Sequence, residues 1–139
     1  MKINVGIIGC GRIAGHHIRS ILNNHAFQLS SVCDLNMEKA GKYGQEFNVP
    51  YYEDYNVMLQ KHSEIDLVAV ITPSGLHFHH AYDILTKYNK NLIIEKPTFL
   101  RIDHLDKCYQ EAEQRKLKLF PVFQNRYNLA IQRVRNAVL

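Results

Sequence analysis

The sequence contains no tryptophan, only three cysteines and four prolines in 139 residues, and no long hydrophobic run. The longest apolar stretch, at 65–72, includes Asp66 and is far shorter than the roughly 20 residues of a membrane-spanning helix. The residues after Met1 also lack the basic start and the long apolar core of a signal peptide. We therefore expect a cytoplasmic protein without a membrane helix.

The small number of cysteines argues against a small fold stabilised by disulfides or by zinc. Cys10, Cys33 and Cys108 are odd in number and are not spaced as paired zinc ligands, so neither a disulfide framework nor a zinc ribbon is expected. The histidines within 16–17 and 77–80 do not complete a metal site either. Adjacent residues point to different faces of a helix, and no carboxylate follows at ligand spacing. The sequence predicts reduced, buried thiols and no metal.

The composition indicates one globular domain. Hydrophobic residues make up 46% of the chain and charged residues 22%, which is typical of a folded protein with a single core. The formal net charge of +4 permits attraction to phosphates, on a nucleic acid or on a nucleotide. Because the basic residues at 133–135 alternate with apolar residues at helical spacing, we expect an amphipathic helix there and no nucleic-acid partner.

Short apolar strands alternate with helical periodicity along the whole chain. The predicted strands are 4–8, 27–33, 50–52, 66–72, 91–95 and 117–123. The predicted helices are 13–22, 36–47, 54–59, 76–88, 103–116 and 127–139. This order predicts an α/β fold with a doubly wound (Rossmann) parallel sheet and right-handed crossovers.

A glycine-rich turn follows the first strand. Residues 9–14 fit the G-x-G-x-x-G/A pattern, in which the first glycine allows a tight turn and the second lets a pyrophosphate approach the backbone. The helix N-terminus would offer its free N–H groups to the phosphates. We predict that Gly9, Gly11, Arg12 and Ile13 contact a dinucleotide; the alternative is a turn that only joins strand to helix.

Asp34 ends the second predicted strand, about 20 residues past the glycine turn. Its carboxylate could accept hydrogen bonds from the ribose hydroxyls and would repel a 2′-phosphate, so NAD is favoured over NADP. The alternative is that Asp34 caps the helix that starts near Asn36, and the two roles are compatible.

Polar residues also follow the fourth and fifth predicted strands, at the sheet edge where ligands bind in such folds. Thr72, Pro73 and His77 come after the fourth strand, and Glu95, Lys96 and Pro97 after the fifth. A lysine at this place either points its ammonium into the crevice or extends to solvent.

Together these motifs resemble the nucleotide-binding domain of the Gfo/Idh/MocA oxidoreductase family, over nearly the whole chain. Glu95-Lys96-Pro97 is the most specific of them. The resemblance implies hydride transfer between NAD and a hydroxyl of a sugar, cyclitol or nucleotide-linked sugar. It implies that Lys96 is catalytic, that Glu95 supports it and that the Lys96–Pro97 bond is often cis. It also implies that the cofactor is contacted by Thr72, Pro73, His77, Glu95 and Lys96.

Residues 123–128 resemble one branch of that family, the dehydrogenases that oxidise the 3-hydroxyl of UDP-N-acetylglucosamine-type uronic acids in surface-polysaccharide biosynthesis. This implies that Asn125 and Arg126 lie beside the substrate, where an Arg suits a carboxylate or diphosphate. The alternative is that Asn125 caps the last helix and that Arg126 is solvated.

The resemblance also implies a second, α+β domain, which in the family builds most of the substrate pocket and of the homo-oligomer interface. We expect 1–123 to be the dinucleotide-binding domain and 124–139 to start a connecting helix. Leu139 ends that helix without a capping residue, which favours a fragment. The chain alone is then expected to bind NAD and to turn over little.

Two other functions remain open. A non-catalytic NAD-binding sensor or interaction module would use the same crevice, and any sequence beyond Leu139 would distinguish it. A methyltransferase that uses S-adenosylmethionine also places a glycine loop and an acidic residue at its first two strand ends, but it does not explain residues 95–97. Competition between NAD and S-adenosylmethionine separates these cases.

Overall fold

The computed structural model describes residues 2–138, which form one parallel six-stranded sheet with helices on both faces. The strands are β1 (Ile3–Ile8), β2 (Phe27–Cys33), β3 (Tyr51–Tyr52), β4 (Leu67–Val70), β5 (Asn91–Ile94) and β6 (Leu119–Pro121). The helices are α1 (Ala14–Leu22), α2 (Met37–Phe47), α3 (Tyr55–Lys61), α4 (His77–Asp83), α5 (Ile102–Gln114) and α6 (Leu129–Val138). The predicted fold class is confirmed.

The strand order is β3-β2-β1-β4-β5-β6, and every pair is parallel. The chain runs outward from β1 to β3, then crosses to β4 on the other side of β1 and runs outward again. The carboxyl ends of β1 and β4 therefore flank the point where the winding reverses, and a crevice opens there.

Each face of the sheet has its own hydrophobic cluster. One face packs α3, α4 and α5 against alternate strand residues; its fully buried members include Met58, Ile84, Leu92 and Cys108. The other packs α1 and α2 through Ile18 and Ala40. Both faces of the central strands are thus held by helices, which makes the carboxyl edge a rigid platform for a site.

The predicted helix at 76–88 is divided into three parts. A 3-10 turn at Ser74–Leu76 leads into α4, and α4 passes into a π-helical turn at Ile84–Tyr88. Within the latter stretch the Thr86 hydroxyl donates to the Tyr82 carbonyl at 2.7 Å, a side-chain bond that competes with regular helical pairing. The position of this helical element was predicted correctly, but its division into 3-10, α and π segments was not.

The predicted helix at 127–139 begins later than expected. A 3-10 turn at Gln124–Tyr127 precedes α6, whose apolar residues Leu129, Ile131, Val134 and Val138 are all at least half exposed. Met1 and Leu139, on which the expectations about the two chain ends depend, lie outside the described residues. None of the helices within residues 2–138 has the length and hydrophobicity that a bilayer-spanning helix requires.

Candidate functional site

Gly9 makes the turn at the end of β1. Its φ is +103°, and a Cβ there would lie 2.8 Å from the carbonyl carbon and oxygen of Ile71. The Gly9 N–H donates to the Cys33 carbonyl at 2.7 Å, so β1, β2 and the end of β4 meet at this residue. A side chain is excluded both by the backbone conformation and by the contact with Ile71.

We expect Gly9→Ala to lower the free energy of unfolding by at least about 2 kcal/mol, because it combines a positive φ with a clash against backbone that cannot move away. Urea denaturation measures this. Gly75→Ala is the matched control, since a Cβ at Gly75 would meet no atom within 4 Å. Equal stability of the two variants would contradict the role given to Gly9.

Asp34 ties the glycine turn to the end of β2. Its Oδ2 accepts the Cys10 N–H at 2.7 Å, and its Oδ1 accepts the Asn36 N–H at 2.8 Å. The cap of α2 is Asn36, which accepts from the N–H groups of Glu38 and Lys39, so Asp34 shapes the entry to the helix without capping it. A carboxylate has about four lone-pair sites, so Asp34 retains acceptor capacity for a ligand.

A cavity of about 320 Å³ opens beside these residues, at the carboxyl ends of β1 to β4. Its lining residues are Ile8, Gly9, Gly11, Cys33, Asp34, Leu35, Lys39, Glu53, Asp54, Tyr55, Ile71, Thr72, Pro73, Leu76 and His80. A Cβ at Gly11 would meet no protein atom within 4 Å, so this backbone faces open space. The open backbone, the adjacent start of α1 and the carboxylate of Asp34 fit the pyrophosphate and ribose of a dinucleotide.

The polar lining of this cavity is acidic. Asp34, Glu53 and Asp54 contribute three carboxylates, and Lys39 contributes one ammonium. The lining cysteine, Cys33, adds no reactive thiolate, because burial, reinforced by the nearby Cys10 and Asp54, raises the pKa of its thiol to about 12. The cavity therefore suits uncharged ribose hydroxyls better than a further phosphate.

The loop after β4 is held by two histidines of α4. The Thr72 hydroxyl lies 3.0 Å from Nδ1 of His80, and burial, with the neighbouring charges of His77 and His79, lowers the pKa of His80 below its ordinary value. A neutral His80 can accept the Thr72 proton, which orients this side chain at the cavity. His77 is absent from the cavity lining; it is 1% exposed, and its ring nitrogens face backbone carbonyls.

Lys96 is the second residue past the end of β5 and is exposed. Its peptide bond to Pro97 is cis, as the resemblance implied. The preceding Glu95 pairs with His17 of α1 at 2.9 Å and lines a second cavity of about 330 Å³, together with Ile13, Val122 and Gln124. This second cavity lies between α1, β5 and the segment that follows β6.

Asn125 and Arg126 are exposed on the 3-10 turn before α6 and line neither of these two cavities. The Arg126 guanidinium lies 5.1 Å from the centroid of the Phe123 ring. The alternative role of Asn125 as a helix cap is not observed, because Asn128 accepts from the N–H groups at the start of α6.

The structure gathers most of the predicted residues around two neighbouring cavities. Gly9, Gly11, Asp34, Thr72 and Pro73 surround the first. Ile13 and Glu95 line the second, while the exposed Arg12 lines neither. The first cavity also includes several residues that the sequence analysis missed: Leu35, Lys39, Glu53, Asp54, Tyr55, Leu76 and His80.

A strand-end signal could have identified part of that missed group. Glu53 and Asp54 follow β3 directly, as Asp34 follows β2. Within residues 2–138, no three His, Cys, Asp or Glu side chains converge in a way that could hold a metal ion.

Comparison with protein families matches residues 3–123 to the Gfo/Idh/MocA model, described as an oxidoreductase family with an NAD-binding Rossmann fold. This description confirms the predicted fold and the predicted cofactor, NAD. The UDP-N-acetylglucosamine 3-dehydrogenase of Acidithiobacillus ferrooxidans is 28% identical over 137 residues, which are 99% of this chain and 42% of that protein. The chain thus spans about two-fifths of the length of this relative.

Solved structures agree with this comparison. The WlbA dehydrogenase from Bordetella pertussis, in complex with NADH and UDP-GlcNAcA, superposes with a TM-score of 0.93 at 29% identity, covering 99% of this chain and 42% of that one. KijD10 from Actinomadura kijaniata, in complex with NADP and TDP-benzene, has a TM-score of 0.90 at 22% identity, covering 99% and 42%. At that identity KijD10 supports the fold alone.

Proposed function

The chain belongs to the Gfo/Idh/MocA oxidoreductase family, and on that premise we propose that it is the NAD-binding part of a dehydrogenase acting on a nucleotide-linked sugar. The observation that carries the proposal is the placement of Lys96. It follows β5 at the same sheet edge as the glycine turn after β1 and the Thr72 loop after β4. The similarity to the UDP-N-acetylglucosamine 3-dehydrogenase and to WlbA supports a nucleotide sugar as substrate.

Each part of the site has its own task in this proposal. The N-terminal end of α1 and the backbone of Gly11 bind the pyrophosphate. The Asp34 carboxylate accepts hydrogen bonds from the ribose hydroxyls. NAD, when bound, supplies the hydride acceptor, and its reduced form supplies the donor. Lys96 Nζ hydrogen-bonds the reacting hydroxyl and orients it; in the oxidation the neutral amine accepts the hydroxyl proton, and in the reduction the ammonium returns it to the carbonyl oxygen.

The finer assignments are proposals as well. Residues 1–123 form the dinucleotide-binding domain, and 124–139 lead toward a substrate domain, which would bring Asn125 and Arg126 beside the sugar. In this proposal the whole protein is a cytoplasmic homo-oligomer that makes sugars for surface polysaccharides. The guanidinium of Arg126 suits the carboxylate or the diphosphate of such a substrate.

The test is turnover in the protein that contains this chain and its substrate domain, supplied with NAD and a UDP-linked N-acetylglucosaminuronate. We expect Lys96→Ala to lower kcat by about 10²- to 10⁴-fold, the usual contribution of a positioned proton-transfer group. NAD affinity should change little, because Lys96 does not line the nucleotide cavity. Lys90→Ala is the matched control, since Lys90 directly precedes β5, at the amino ends of the strands and opposite the site. Full turnover without Lys96 would remove it from the active site.

A further inference from the structure

The backbone around Lys96 leaves the sheet where regular strand pairing ends. The Glu95 N–H still donates to the Val70 carbonyl at 3.1 Å. Beyond it, the Lys96 N–H and the carbonyls of Pro97 and Thr98 find side-chain partners. The bonds to the Pro97 and Thr98 carbonyls are partly or fully buried, where backbone groups need partners, whereas the Lys96 N–H bond is exposed. These side chains therefore constrain the segment on both sides of Lys96.

On the N-terminal side of Lys96, the partner is a carboxylate held by a histidine. Glu95 Oε2 accepts the Lys96 N–H at 3.0 Å, and Glu95 Oε1 lies 2.9 Å from Nε2 of His17. The side chains of His17 and Glu95 are only 17% and 12% exposed. The pair therefore connects α1, which starts at the glycine turn, to the residue that precedes Lys96.

On the C-terminal side, the partner is His77. Its Nδ1 lies 2.9 Å from the Pro97 carbonyl oxygen and 3.3 Å from that of Thr98, and its Nε2 lies 2.8 Å from that of Thr72. A neutral imidazole has a single N–H, so the ring donates to both sides together only as an imidazolium. The ring joins the loop after β4 to the loop after β5.

We propose that His17 and His77 are positioning residues for Lys96, which hold the chain on its two sides and so direct its ammonium. Neither residue contacts the substrate or the cofactor in this proposal, which gives His77 a role other than the cofactor contact expected from the sequence. The catalytic role of Lys96 rests on the proposed function, whereas the positioning of Lys96 by the two histidines does not.

The first test is amide NMR of the 139-residue chain. His17→Leu removes the donor to Glu95, and we expect the Lys96 amide proton to move upfield and to exchange about tenfold faster, as for the loss of one charge-assisted hydrogen bond. His17→Gln places an amide nitrogen where Nε2 was and should restore the signal. His16→Leu, at the exposed neighbouring position of α1, is the matched control and should leave the signal unchanged.

The second test concerns His77, whose burial makes an apolar replacement a risk to folding. His77→Gln keeps a donor toward Thr72 and removes the one toward Pro97, while His77→Asn does the reverse. We expect the amides at 98–99 to exchange about tenfold faster in His77→Gln than in His77→Asn. His79→Gln, exposed on the same helix, is the control. Thermal melts show that each variant is folded.

NAD titration of each variant separates the two proposals. We expect the dissociation constant to stay within about twofold of the parent value, since neither histidine lines the nucleotide cavity. An unchanged Lys96 amide in His17→Leu, or no difference between the two His77 variants, overturns the positioning proposal. A parent chain that fails to bind NAD overturns the proposed function, and the amide signals still decide the positioning.

Discussion

Gly11→Val is expected to weaken NAD binding about a hundredfold, a loss of about 2.7 kcal/mol, without changing the stability of the chain. A Cβ at Gly11 would meet no protein atom within 4 Å, so a side chain there should not destabilise the folded chain. The same open space is where the pyrophosphate would approach the backbone, so a branched side chain would keep the phosphates away. Gly11→Ala should give a smaller loss in the same direction.

Gly15→Ala is the matched control for this prediction. Gly15 lies in the first turn of α1, but a Cβ there would face Tyr43 and Arg19 at ordinary contact distances. We expect an NAD affinity close to that of the parent chain and a free energy of unfolding up to about 1 kcal/mol higher, because Ala is a better helix former than Gly. Isothermal titration together with urea denaturation measures both quantities. If Gly11→Val bound NAD as tightly as Gly15→Ala, the pyrophosphate would not lie at this turn.

Asp34→Asn is expected to weaken NAD binding about tenfold to a hundredfold, the usual value of hydrogen bonds to a charged group. The substitution also removes one of the three carboxylates that line the cavity. NADP should therefore lose less affinity than NAD, and the preference for NAD should shrink about tenfold. Part of the loss would come from the glycine turn, because Asp34 also accepts the Cys10 N–H.

Asp66→Asn controls for the change in net charge. Asp66 precedes β4 at the amino edge of the sheet, opposite the crevice, where it accepts the Asn4 N–H. Parallel titrations of both variants with NAD and NADP make the comparison. An equal loss of affinity in both would show that Asp34 acts only through the overall charge and not through contact with the ribose.

The fold was predictable because its signals are local. The apolar strand at 67–70, the glycine turn and the acidic residue that follows β2 each occupy a few consecutive residues. Parallel sheets with right-handed crossovers then leave few arrangements, so the carboxyl ends of β1, β2, β4 and β5 had to meet at one edge. The placement of Gly11, Asp34 and Thr72 around one cavity results from this topology.

The side chains that hold the segment around Lys96 were not predictable, because their contacts join distant parts of the chain. His17 and Glu95 are 78 residues apart, and their pairing depends on how α1 packs beside β5. His77 lies at the start of α4, where its spacing suggested a place at the cofactor. Only the packing shows that its ring turns toward the carbonyls of Thr72 and Pro97.

For the last helix, the sequence predicted the helix itself but not its packing. Its periodicity was correct, but an amphipathic pattern does not say what the apolar face packs against. In α6 the apolar residues Leu129 and Val134 are more than half exposed, whereas the equally periodic Ile18 of α1 is fully buried. The difference lies in the tertiary environment and not in the sequence of either helix.

Calorimetric titration of this chain with NAD and with NADP tests the central claim most directly. The acidic cavity at the carboxyl ends of β1 to β4 predicts saturable binding of one NAD per chain, and binding of NADP that is at least about tenfold weaker. No binding of NAD, or binding of NADP as tight as that of NAD, would contradict the account.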